Sequence, residues 1–354
     1  MRIRRSFPIV LAVTLVAVAV ALVVVLRKHA PPEPARLLPG ADGFVYINLR
    51  AIRRANFGAQ LPAVSREPEY EQFVQATGFQ FERDLDEAAF AIHYSSSRPG
   101  ATVPAETRFS EVFVGKIQGD RIRDYLHNIS ASIENYRSTD IYSIPLQGRT
   151  LRLAILGVDT VAASNHDDPQ VIHGIVDRSR KLASPFAGPA LLRRYYKYVP
   201  LTSRYVPFAG LAWAIFRIDP EADKTAPGQP LGLSLLFTQP AVVVASLYEL
   251  RGVQFRAEAF AGNESEAKAV TEKLGTFLTI FHAAESSAAN KAADPDVKQF
   301  FDSLKVEQNG SRALLTASLP PGFIRKALAE PPPELTPSPQ GPKPAPAAPG
   351  KPHR

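Results

Sequence analysis

Cysteine is absent from all 354 residues. Disulfides, zinc knuckles, iron–sulfur clusters and cysteine nucleophiles are therefore excluded together. Phosphate-cradling signatures are missing as well: neither G-x-x-x-x-G-K-S/T nor G-x-G-x-x-G occurs. The G-x-S-x-G nucleophile elbow is not there either. Acidic residues are missing from positions 1–28, and charge of either sign is missing from positions 7–26. What remains is 45% hydrophobic and 21% charged, a composition for a chain that is mostly folded.

The formal charge of +7 suggests a nucleic-acid partner until it is divided along the chain. Residues 1–28 carry +5 and residues 334–354 carry +2, so the body between them is neutral. Duplex binding draws on a net basic face that releases counterions, and no nucleic-acid partner is expected. The neutral body is uneven, however. Arg178, Arg180, Lys181, Arg193, Arg194, Lys197, Arg204 and Arg217 follow one another with no acid among them.

Phe7 to Leu26 is an uncharged run that would span ~30 Å as a helix, one hydrocarbon core. Basic residues flank it: Arg2, Arg4 and Arg5 before, Arg27 and Lys28 after. It is longer than the apolar region of a cleaved signal peptide, so an uncleaved signal anchor is expected. A long body then translocates, placing it outside the cytoplasmic membrane. The expected organisation is a basic cytoplasmic N-terminus at 1–6 and a transmembrane signal anchor at 7–26. A Pro-rich linker at 27–41 follows, then α+β halves at 42–200 and 201–330. The stretch from Lys28 to Gly43 reaches at most ~50 Å when extended. Residues 331–354, with ten prolines in 24 positions, read as an extended disordered tail.

Within the body, period-two runs predict strands at 44–49, 88–94, 112–117, 141–144, 151–156, 160–163, 211–216, 231–237, 242–250, 254–260 and 314–319. Ile122, Leu126, Ile129 and Ile133 repeat at helical spacing, as do Ala267, Val270, Leu274, Phe277, Leu278 and Phe281. Asp168-Pro169 marks a helix start that buries Ile172, Ile175 and Val176. A helix carrying Val297, Phe300 and Phe301 comes late. GFVYINLRAIRRA at 43–55 and GLAWAIFRIDPEA at 210–222 resemble each other, which suggests two related halves. The fold class is α+β, with antiparallel sheets and packed helices.

Few residues suggest chemistry. Ser265-Glu266-Ala267-Lys268 is an S-x-x-K without its S-D-N and K-T-G partners. Asn263 and Glu266 explain it more simply, as a helix cap near a capping box. His166, Asp167, Asp168 and His173 form one local cluster of metal-ligand type, but Asp168 has a capping role that competes. His93 lies in an apolar strand whose alternation lets it point outward. No catalytic residue, cofactor or metal is expected. The interaction candidate is Arg193, Arg194, Tyr195, Tyr196, Lys197 and Tyr198, with Arg204 and Tyr205 close behind. Cations interleaved with aromatics suit an anionic interface: lipid headgroups, a glycan or single-stranded nucleic acid. Extracytoplasmic placement opposes the last, which leaves anionic lipid, a glycan or an envelope protein. The alternative is a loop whose tyrosines pack and whose arginines are solvated.

The anchor, Leu38-Pro39 before the strand at Phe44, and Gly78-Phe79 leading to Arg83-Asp84-Leu85 together resemble bacterial membrane-anchored proteins of unknown function of the DUF3352-like kind. The Tyr142 strand, the helix after Asp168 and Trp213 add to the resemblance. It implies an anchored α+β body and no catalytic residues. The expected function is a single-pass extracytoplasmic binding or scaffold protein of the bacterial envelope. Alternatives are an envelope hydrolase with a non-motif active site, or an accessory subunit of a secretion, pilus or division machine.

Overall fold

The computed structural model describes residues 30–54, 68–94, 107–146, 148–180, 188–200, 210–220, 235–249, 252–287 and 295–323. The expected anchor and tail, and Arg204 and Tyr205, lie outside them. Among the described residues, no helix is long and apolar enough to cross a membrane.

Among the described residues, twelve strands form one antiparallel sheet in the order β11-β12-β10-β9-β8-β1-β2-β3-β7-β6-β5-β4. In the chain they run β1 Gly43–Asn48, β2 Leu85–His93, β3 Arg108–Gly115, β4 Ser132–Tyr136, β5 Thr139–Leu146, β6 Arg149–Ile155 and β7 Thr160–Ser164. The second set is β8 Gly210–Ile218, β9 Ala241–Glu249, β10 Val253–Phe260, β11 Lys305–Asn309 and β12 Arg312–Leu319. The helices are α1 Glu33–Leu37, α2 Leu49–Arg54, α3 Pro68–Thr77, α4 Phe81–Asp84, α5 Gly119–Ile129, α6 Gln170–Ser179, α7 Ala190–Tyr195, α8 Glu264–Ser287 and α9 Pro295–Ser303. The protein is therefore α+β.

The two segments that resemble each other in sequence become neighbours. β1 and β8 pair antiparallel, and the alignment that sets Gly43 on Gly210 also sets Tyr46 on Trp213. Those two residues are direct cross-strand partners. A two-fold axis normal to the sheet thus passes through that pair, whose rings stack 5.6 Å apart. Outward from it the path is the same on both sides: β1-β2-β3-β7 and β8-β9-β10-β12. In each half a helix (α5 or α8) follows the third strand, and a hairpin returns the last strand beside it. The first half carries one extra hairpin, β4–β5, at its edge.

Strand alternation gives the sheet two apolar faces. Phe44, Tyr46, Ala89, Val112, Ile141 and Trp213 share one, covered by α1, α6 and α7 through Leu38, Ile175 and Leu192. On the other face, α3 and α4 cover Ala88 and Phe90, α5 covers Tyr142, and α8 covers Ala313. Local chemistry sets the joints. Asn48 Oδ1 accepts the Ala51 N–H at 2.9 Å and turns β1 into α2. Gly78, at φ +72°, ends α3 in the left-handed region. At Gly115 a Cβ would lie 2.4 Å from the Asp84 carbonyl oxygen, so only glycine lets β3 approach there.

Several expectations change. The stretch read as a Pro-rich linker contains α1, and Ala35 and Leu38 are fully buried in the main core. Helix α5 ends at Ile129, where Ser130 turns extended and its hydroxyl donates to the Leu126 carbonyl. Ile133 belongs to β4 instead and is exposed, because the helical spacing ran on across a turn. Leu235 and Leu236 form a helical turn, so the strand expected through Phe237 is not present in its described part. Helix α8 has the expected period, but its described side chains are unevenly packed. Ala267 and Val270 are buried, while Phe277 is 60% and Ile280 63% exposed.

Candidate functional site

The basic and aromatic residues of 193–198 sit on α7 and the single 3-10 turn that follows, Tyr196–Tyr198. Leu191 and Leu192 anchor α7 in the core, and Pro189 opens it with its carbonyl accepting the Arg193 N–H at 2.9 Å. The burial of two adjacent leucines turns Arg193, Arg194 and Lys197 outward, and all three are exposed.

The tyrosines divide. Tyr196 is buried, its ring edge-on to Trp213 at 5.3 Å. Tyr195 and Tyr198 are half-buried against Phe260 of β10, at 5.1 and 4.5 Å between ring centroids. Packing therefore holds the aromatics, and two of the cations stand over them. The Arg194 guanidinium lies 5.4 Å from the Tyr195 ring centre, and Lys197 Nζ lies 5.1 Å from that of Tyr198.

The sheet adds residues that sequence reasoning missed. Arg256, Glu258 and Phe260 alternate on β10 and share one face with Arg312, the cross-strand partner of Phe260. Arg312 lies 5.8 Å from the Tyr198 ring centre and pairs with Glu258 at 3.2 Å. Arg256 Nε donates to the other Glu258 oxygen at 3.0 Å. The buried Glu258 carboxylate thus fixes two guanidiniums, of which Arg312 lies against Tyr198. The period-two spacing of Arg256, Glu258 and Phe260 was visible in sequence. Their pairing across the chain with 195–198 was not.

The other candidates resolve differently. The four residues of metal-ligand type part ways. His166 Nδ1 accepts the Asp168 N–H at 3.1 Å, and Asp168 Oδ1 accepts the Gln170 N–H at 2.9 Å. Asp167 pairs with Arg108 at 3.1 Å, and His173 stacks on Tyr136 at 4.1 Å. Among the described residues, no three groups of this type converge. Asn263 caps α8 by accepting the Glu266 N–H at 2.8 Å. Glu266 does not complete a capping box, for its carboxylate accepts from Thr238 N–H and hydroxyl at 2.7 and 2.6 Å. Ser265 is exposed, and Lys268 lies 3.8 Å from Glu272.

His93 faces the main core side. Its Nε2 lies 3.2 Å from Ser110 Oγ, which lies 3.0 Å from Ser164 Oγ. Burial, with His166 adding to it, lowers the His93 pKa to about 4. A serine–histidine pair is the beginning of a nucleophile, but Ser110 is fully buried.

No family model matches the chain, and no curated protein matches it. Two solved structures resemble it in outline, crystal forms III and IV of TP0453. Each has a TM-score of 0.42, at 9% and 10% identity. The likeness covers 81% and 86% of this chain and 95% and 99% of those chains.

Proposed function

We propose that the protein is a single-pass, membrane-anchored binding or scaffold protein of the bacterial envelope, and that its body meets an anionic membrane surface through Arg193, Arg194 and Lys197. The observation that carries this reading is the placement of Arg194 and Lys197 over a packed Tyr195–Tyr198–Phe260 cluster, with exposed Arg193 on the same short helix and Arg312 also on the Tyr198 ring. Each cation near an anionic leaflet contributes ~1 kcal/mol. The half-buried tyrosine rings supply amphipathic surface beside them.

The position of α1 supports the reading. If residues 7–26 span the bilayer, only about six residues separate the span from Glu33, and six extended residues reach ~20 Å. The folded body is then held close to the headgroups, nearer than a fifteen-residue free linker would hold it. The shared path of the two sheet halves, centred on Tyr46 and Trp213, further supports their origin as related units. No hydrolytic role is proposed: the serine beside His93 is fully buried, and among the described residues Lys268, the lysine of the S-x-x-K, lies 3.8 Å from Glu272. The test is co-sedimentation of residues 29–354 with vesicles of anionic or neutral lipid, with and without Arg193→Gln, Arg194→Gln and Lys197→Gln. Preferential binding to anionic vesicles that the triple variant loses supports the proposal.

A further inference from the structure

An open groove of about 630 Å³ lies on the opposite face of the sheet, between the start of α5, the β4–β5 turn and the β6–β7 turn. Its size falls within the range of small-ligand sites, ~300–1,000 Å³. We propose that this groove binds a neutral, hydroxyl-rich ligand, a short saccharide.

Four features point that way. Tyr142 lines the groove, and only 3% of the residue is exposed, with Ile122 and Leu126 packed around it. Its hydroxyl has no hydrogen-bond partner among the described residues. Burial first, and then Asp140, raises the pKa of the phenol, so it offers both a donor and an acceptor. Second, α5 begins at Gly119 in the groove wall, and Gln118 places no side chain on its first amides. An α-helix leaves such N–H groups without an intrahelical partner, so they can donate to a ligand. Third, the charged groups are mixed. Arg123 lines the groove with two carboxylates, Asp120 and Asp140. Arg123 holds Asp120 only loosely, at 3.6 Å.

That mixture selects the ligand class. A phosphate or polyanion would meet two carboxylates for one guanidinium. An amine would meet Arg123 and the positive end of the α5 dipole. Hydroxyl groups suit both, donating to the carboxylates and accepting from the guanidinium, the amides and the phenol. Fourth, Ile155 and the highly exposed Val158 form an apolar wall for the C–H face of a sugar ring.

The test uses the full chain in lipid nanodiscs, which avoids sugar-based detergents. Calorimetric titration with maltose, cellobiose and N,N′-diacetylchitobiose is compared with glucose 6-phosphate and putrescine. The expected result is a Kd of about 1 mM or tighter for at least one disaccharide. Tyr142→Phe, which keeps the packed ring, and Arg123→Gln should each weaken that binding about tenfold, with thermal melts showing both variants folded. The proposal is overturned if none of the three disaccharides binds, if binding is unchanged in both variants, or if either charged probe binds more tightly.

Discussion

His93 illustrates how little a residue type says before its neighbours are known. An apolar strand with one histidine admits an outward, solvated ring or an inward, hydrogen-bonded one, and register decides between them. His93 pairs with Arg108 across β2–β3, which places it on the face of Ala91 and Ser110. Its pKa in the folded state, about 4, lies below the unfolded value of 6.5. Between those values the unfolded chain binds more protons, so acidification removes stability. The contribution is fully present above pH 6.5 and is lost as pH falls toward 4. After allowance for screening at a partly exposed ring, about 1–2 kcal/mol is expected. Urea midpoints at pH 7, 5.5 and 4 should show it, and His93→Gln should flatten that part of the profile. An equal slope in the variant would assign the acid sensitivity to other groups. Arg193, Arg194 and Lys197 were legible as cations beside aromatics. Arg312 was not, because its link to Tyr198 runs through a strand register that no local pattern encodes.

Among the elements, α8 separates sequence period from packing. Its apolar period continues from Ala267 to Phe281, yet burial fades from Val270 through Leu274 to the exposed Phe277. Val270 contacts Ile218 and Ala313, whereas Phe277 projects beyond them. Val270→Ala is expected to cost about 1.5–3 kcal/mol as a core truncation. Phe277→Ser, a larger change on paper, should stay within about 0.5 kcal/mol. Chemical denaturation of both variants checks this, and a Phe277→Ser cost above that of Val270→Ala would mean that the second half of α8 is covered. The strands were the more legible elements, because alternation in β1, β8 and β10 matches a half-buried pleat. The short edge strands β4 and β11 were missed for the same reason. Each has five residues, mostly exposed, and no apolar alternation to reveal it.

For the whole molecule, the internal likeness of 43–55 and 210–222 was the one long-range clue in the sequence, and it falls on the centre of the sheet. The Pro-rich composition of 27–41 misled in the other direction, since Pro32 and Pro34 frame a docked helix rather than a loose connection. A clear expectation follows for truncation. Removing residues 1–28 should leave a soluble body with a cooperative melt. Removing residues 1–41 takes Ala35, Leu37 and Leu38 from the core and should cost about 4 kcal/mol or more. Matching melting temperatures for the two truncations would show that α1 does not hold the core.

The account rests most heavily on the Arg193–Lys197 surface as a membrane-facing one, and its salt dependence tests it most directly. The body lacking residues 1–28 is sedimented with anionic vesicles at 0.1 M and 1 M salt, where the Debye length falls from ~10 Å to ~3 Å. Binding at low salt should drop steeply at high salt and be largely lost in the Arg193→Gln, Arg194→Gln, Lys197→Gln variant even at 0.1 M. Equal binding to neutral vesicles, or a triple variant that binds like the parent, would contradict it.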